Sequence, residues 1–388
     1  MSPGTINFVI RKIPFYPLAI ASNLFSITAL LIFFGVTGNV ELSADIAVVQ
    51  GAMLTIFLAF SGNARNILLS SSSNISLAQL GRFRLLLVLP FGLFVYFFCL
   101  SIFDVQIFIT CALIVRRCSE WLAELIISEK EQKGCYSYGR NYLLLQIISL
   151  STLLLHNVVS ENFYELIFCF WAVTPVLLGG GRLLHFLRRA DKEKYLPGIE
   201  YVFHLGSSWV IATTTFVFRV MVIALTSKAI GGELFTAFAI GGMLSSIYTY
   251  VVGPSLILKE TRKTRRILYS VLFSCAASGV AIILLSDAIS KIIGNSVLFC
   301  QALGFSMLGS AIMIVSQRKR IILLQLKQES VFVPDVLSNL LIVAVVPLIY
   351  YIAGPSVLSA LFLCSACLTY LFYSLPIEVK KGYSFERS

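Results

Sequence analysis

One cation stands inside an otherwise apolar run. Residues 206–225, GSSWVIATTTFVFRVMVIAL, are enough to cross the ~30 Å hydrocarbon core as a helix, and they carry Arg219. The run opens with Ser207, Ser208 and Trp209 and continues through Thr213, Thr214 and Thr215. A guanidinium at membrane depth costs on the order of 3 kcal/mol on insertion scales, so it is expected to face a wet cavity or a polar partner. Two readings follow: a structural arginine paired with a neighbouring helix, or a cavity-lining cation that meets an anionic substrate. A second group lies in CALIVRRCSEWLAELIISEKEQKG, residues 111–134. Helical spacing puts Arg116, Glu120 and Glu124 on one face, with Arg117 within one turn of Glu120. Either these charges form internal pairs on a solvated helix end, or they line an inward-facing cavity. In the second case the arginines suit phosphate, because the planar guanidinium matches two oxygens at once. Asn63 and Arg65, in SGNARN, are a third candidate, with headgroup contact as the alternative. Gln317, Arg318 and Arg320 occupy a place late in the chain comparable to that of Arg116 and Arg117. Asn23, Gln50, Asn141 and Gln146 are polar groups within apolar stretches; each needs a partner, and helix–helix hydrogen bonding is the ordinary one.

The elements that would hold these residues are membrane helices. The 388 residues are 58% hydrophobic and 13% charged, with a mean hydropathy of +0.88. That balance excludes an ordinary soluble domain. Twelve spans are expected, at about 15–36, 44–61, 83–103, 105–128, 141–157, 162–181, 202–226, 233–253, 267–286, 292–316, 331–353 and 355–375. The basic, apolar N-terminus lacks a small-residue cleavage site and is read as leading into the first span, not as a removed signal. The fold class is therefore all-α: a polytopic membrane protein of about twelve helices in two six-helix halves around a central cavity.

The formal charge of +11 is read by position, not as a nucleic-acid footprint. With the N-terminus inside, all Lys and Arg except Arg219, Lys228 and Lys291 fall in cytoplasmic segments. By the positive-inside rule both termini are cytoplasmic and the number of spans is even. Outer loops instead carry Glu41, Asp104, Glu161, Glu233 and Asp287. An internal repeat is legible: Ile114-Val115-Arg116-Arg117 precedes Ile314-Val315-Ser316-Gln317 by two hundred positions. The charged stretch 188–194, closed by Pro197-Gly198, divides the chain into an N-terminal bundle (1–187), a cytoplasmic linker (188–200) and a C-terminal bundle (201–388). Transporters built from two such halves place the substrate path between them.

Enzyme signatures do not emerge. His156, His185 and His204 are scattered without metal-ligand spacing. No phosphate loop and no Gly-x-Ser-x-Gly elbow occurs. Cys364-Ser-Ala-Cys367 has a redox spacing, but inside an apolar helix it reads as i, i+3, and the nine cysteines read as free thiols. No metal, cofactor or nucleic-acid partner is expected.

The charged fourth span, the small and hydroxyl opening of the seventh with Arg219, and the following GGELFTAFAIGGMLSSIYTYVVGP resemble the bacterial polysaccharide flippases. These are O-antigen or capsule repeat-unit exporters of the multidrug/oligosaccharidyl-lipid/polysaccharide exporter superfamily. The resemblance implies a non-enzymatic transporter of the bacterial inner membrane. It would move an undecaprenyl-diphosphate-linked oligosaccharide from the cytoplasmic to the periplasmic leaflet by alternating access, driven by an H+ or Na+ gradient. Implied partners are that lipid-linked oligosaccharide, membrane lipids and other polysaccharide-assembly proteins. Implied cavity residues are Arg219, then Arg65, Arg116 and Arg117. Two other readings stay open: a multidrug exporter of the same fold, which would place acids in its cavity, and a membrane polysaccharide polymerase or acyltransferase, which would need a catalytic outer loop.

Overall fold

The computed structural model describes residues 15–61, 77–159, 163–183, 199–248, 262–326 and 332–385. All regular structure among them is helical. In chain order the helices are α1 (Phe15–Val36), α2 (Val40–Ser61), α3 (Leu77–Ile102), α4 (Ile107–Gln132), α5 (Tyr136–Val159), α6 (Tyr164–Leu177), α7 (Ile199–Leu225), α8 (Lys228–Ile247), α9 (Arg262–Leu284), α10 (Ser286–Ile293), α11 (Val297–Leu326), α12 (Phe332–Ala353) and α13 (Leu361–Phe385). A short 3-10 turn, Pro355–Ala360, leads into α13. Helices are the expected form because in lipid each must satisfy its own backbone groups.

A helix lies over each of the twelve expected spans. Among the described residues, seven are long and apolar enough to cross a membrane, or up to nine if each of two bent pairs is one span. The shortfall has local causes. α4 carries Arg116, Arg117, Glu120 and Glu124 in its middle, and α6 has only 14 residues. The ninth span breaks into α9 and α10, bent by 81°. The outward faces identify the solvent. On α3, Leu86, Leu89, Phe94 and Phe97 are each more than half exposed. A row of that kind belongs against acyl chains, not water.

The chain forms two compact units, Met1–Ala29 with Ile56–Gly198, and Leu30–Thr55 with Ile199–Ser388. The hairpin of α1 and α2 thus contributes its turn, residues 30–55, to the second unit, whereas the sequence reading placed all of it in the N-terminal bundle. The linker expected at 188–200 lies outside the described residues up to position 198. In the first unit α4 is the central helix, packed by α3, α5 and α6. It buries not only Leu113, Trp121, Leu125 and Ile126 but also its charged residues Arg116, Arg117 and Glu120. In the second unit α11 is central, packed by α8, α9 and α13, while α12 lies on α7. Serine hydroxyls close the α8–α11 seam: Ser306 Oγ donates to Ala237 O at 3.1 Å and Ser310 Oγ to Gly241 O at 2.6 Å. Small residues there let the backbones approach, the usual packing device in a membrane, where burial of apolar surface supplies no drive.

Candidate functional site

Arg219 sits on α7, less than two turns before its C-terminal end, because the helix already begins at Ile199. Its neighbour is α2 of the same unit. Nη1 donates to the carbonyl of Ala47 and, at 3.1 Å, to Gln50 Oε1. Both acceptors are neutral. No carboxylate among the described residues pairs with Arg219, and its Nε and Nη2 make no hydrogen bond there. Those two atoms form one edge of the guanidinium, the edge that takes two anionic oxygens side by side. The site depends on Gly51: a Cβ at that position would stand 3.2 Å from Phe216 Cα and 3.5 Å from Arg219 Cδ. Thr55 Oγ1 donates to Ala212 O at 3.4 Å on the same seam. The buried hydroxyl of Thr213 on α7 has no partner. Gly51→Val is expected to push Phe216 and the Arg219 stem off α2. An overpacking cost of about 1–3 kcal/mol would appear as a lowered melting temperature of the detergent-solubilised protein.

The charges of α4 are committed inside the first unit. Arg116 is 0% exposed. Its Nε donates to Glu120 Oε1 at 2.7 Å and Nη1 to Trp171 O at 2.7 Å. Its Nη2 donates to Gln146 Oε1, and the guanidinium lies over the Trp171 ring, 4.8 Å from the centroid. Arg117 reaches Glu120 Oε2 only at 3.4 Å. Glu124 pairs across to Arg84 of α3 at 2.9 Å. Arg84, expected in a cytoplasmic segment, is 1% exposed and lies over the Trp121 ring. The cavity-lining expectation for Arg116 and Glu120 is therefore corrected: in this structure both are enclosed and face each other, not solvent. Arg116 and Arg117, counted above as cytoplasmic charges, stand near the middle of α4. The reason is the mutual neutralisation that makes a buried charge tolerable.

The other expected residues distribute as follows. Asn23 accepts a hydrogen bond from Tyr142 at 2.8 Å, so it serves as a helix–helix contact. Ser208 is half-buried on α7, and Arg318 is half-buried on α11. The side chain of Ser207, and Asn63 and Arg65 altogether, lie outside the described residues. Arg320, named above with Gln317 and Arg318, has partners that the sequence reading passed over. Asp335, fully buried at the start of α12, accepts from Arg320 Nε at 3.2 Å and Nη2 at 2.9 Å, and from the Tyr373 hydroxyl. An acid inside an apolar span was the signal for it. Among the described residues three acids are buried, Glu120, Glu129 and Asp335, and each is paired to an arginine.

The helix order and packing match known transporter structures. A crystal structure of MATE in complex with MaD3S superposes with a TM-score of 0.58 at 10% identity, covering 95% of this chain and 95% of that one. A multidrug resistance MATE family transporter of the MOP superfamily, in an inward-facing conformation, gives a TM-score of 0.52 at 10% identity over 95% and 99%. MATE in its bent conformation gives 0.52 at 13% identity over 95% of each chain. This is the MATE transporter fold. No protein-family model matches the chain, and no curated protein does. At these identities the MATE likeness is one of architecture: a polytopic, all-helical membrane protein. What the chain does has to be argued from its own residues.

Proposed function

We propose that the chain is a flippase. It would move a polyprenyl-diphosphate-linked oligosaccharide from the cytoplasmic to the periplasmic leaflet of a bacterial inner membrane, by alternating access, for O-antigen or other cell-surface polysaccharide biosynthesis. The observation that carries this reading is Arg219, a half-buried guanidinium whose partners among the described residues are neutral and whose Nε and Nη2 make no hydrogen bond there. A diphosphate presents paired anionic oxygens to such an edge. The polyprenyl tail stays in the bilayer while the charged headgroup travels. Orientation with both termini cytoplasmic, and coupling to an H+ or Na+ gradient, belong to the same proposal and rest on the distribution of Lys and Arg and on the resemblance stated above.

A multidrug exporter is the second reading, favoured by the multidrug resistance transporter among the structures of this fold. Cationic drugs call for an uncompensated acid. Among the described residues the three buried acids are each paired to an arginine, and Arg219 has neutral partners only, as has the half-buried Glu233, which accepts from Ser296. The pairing of the buried acids favours an anionic cargo.

The test is complementation in a host from which the gene is deleted, with the leaflet of the lipid-linked oligosaccharide as readout. Wild type is expected to release units trapped on the cytoplasmic side. Arg219→Ala at equal expression should transport about ten- to a hundredfold more slowly, the value of one charge-assisted contact. Arg219→Lys should fall between, since it keeps the charge and loses the fork. Normal flipping in the deletion strain, with raised accumulation of cationic drugs, would replace this reading with the second. Full transport by Arg219→Lys would remove bidentate recognition.

A further inference from the structure

A different under-compensated cation lies in the first unit. Arg116, Arg117, Glu120 and Gln146 form one enclosed set, 0%, 9%, 2% and 3% exposed. One carboxylate serves two guanidiniums there. Arg116 is complete, with Glu120, the Trp171 carbonyl and Gln146 as acceptors. Arg117 is not. Its Nη1 has a long contact to Glu120, and its buried Nε has no acceptor. The amide nitrogen of Gln146, which holds Arg116 through its oxygen, is also buried without an acceptor. Both orphaned groups are therefore N–H donors, and the two arginines and one glutamate sum to one net positive charge.

Buried donors are nearly always satisfied, and a buried charge needs a counter-charge. A water molecule could accept the free N–H bonds but would leave the charge standing. The Nη1 side of Arg117 is taken by Glu120, which repels anions, so the position for one is along Nε. One net positive charge is balanced by a monovalent ion and overrun by a diphosphate. We propose that this set holds a small inorganic anion, chloride in cells, against Arg117 Nε. Such an anion would complete the neutralisation of α4 and is separate from cargo recognition at Arg219.

The experiment uses the full chain in detergent and reads thermal unfolding in sodium chloride against sodium gluconate at equal ionic strength. A saturable rise of several degrees in chloride is expected, reproduced by bromide and absent with inorganic phosphate. Arg117→Gln should abolish the rise, and Arg219→Gln should keep it. Bromide-grown crystals of the unaltered protein give an independent reading that needs no variant: an anomalous peak beside Arg117 Nε. Equal melting in both salts, a density without anomalous signal in bromide, or a chloride effect lost in Arg219→Gln and kept in Arg117→Gln would each overturn the assignment. A shift with phosphate in place of chloride would also overturn it, and would move Arg117 to the cargo.

Discussion

Replacing Glu120 by Ala is expected to destabilise the first unit by about 3–5 kcal/mol, the usual cost of stranding a buried charge. The loss is this large because, among the described residues, Glu120 is the sole carboxylate paired with Arg116 and Arg117. Removing it leaves two guanidiniums enclosed between α4, α5 and α6. Arg116 would keep the Trp171 carbonyl and Gln146 as hydrogen-bond acceptors, but neither offsets charge. Thermal unfolding of the purified protein in detergent should show a fall of many degrees or a failure to accumulate in the membrane. Glu120→Gln should cost less, since its amide oxygen can still accept from Arg116 Nε. Combining Glu120→Gln with Arg117→Met should recover part of the loss, because it also removes one of the stranded charges. A coupling of about 0.5–3 kcal/mol between the two positions is expected of groups in one network. Strictly additive effects would show that the pair does not interact in the folded protein.

The second large effect is expected at Gly232 on α8. A Cβ there would lie 1.8 Å from the carbonyl oxygen of Val40, a backbone atom that no rotamer change can move. The start of α2 would have to shift. Around it, Ser43 Oγ accepts from or donates to Thr236 Oγ1 at 2.9 Å, and Lys228 pairs with Asp45 at 3.0 Å. Even Gly232→Ala should therefore cost at least the ~3 kcal/mol at the upper end of overpacking, with Gly232→Val worse. The adjacent Gly231 is the control. A Cβ there meets Ile223 Cγ1 at 2.8 Å, a side-chain atom that a χ1 change can move where a backbone carbonyl cannot. Gly231→Ala should lose far less in melting temperature. Comparable losses at the two glycines would show that the 30–55 hairpin is not held by this contact.

Hydropathy alone placed the helices. The run at 206–225 and the aromatic-rich stretch now seen as α3 could be read in order, because a helix in lipid satisfies its backbone within its own sequence; the break of the ninth span, read as one segment at 267–286, into α9 and α10 was not. The positions of Arg219, Arg116, Arg117, Glu120 and Glu124 within those helices were legible for the same reason. So was the pairing of Arg116 with Glu120, which is a matter of one helical turn.

What only the tertiary structure decided is which charges are already spent. Arg84 finds Glu124 on another helix, Arg116 finds Gln146 and Trp171, and Arg320 finds Asp335 and Tyr373. Among the described residues Arg219 finds no acid, only Ala47 and Gln50. The transfer of the 30–55 hairpin to the second unit belongs to the same class. The physical reason is that a charge in a membrane helix is priced by its partners, and those partners come from helices whose packing side-chain periodicity does not specify. The sequence by itself determined that one cation, Arg219, stands within an apolar run. The packing decided that Arg219 meets neutral partners among the described residues, while the arginines of α4 are held within their own unit.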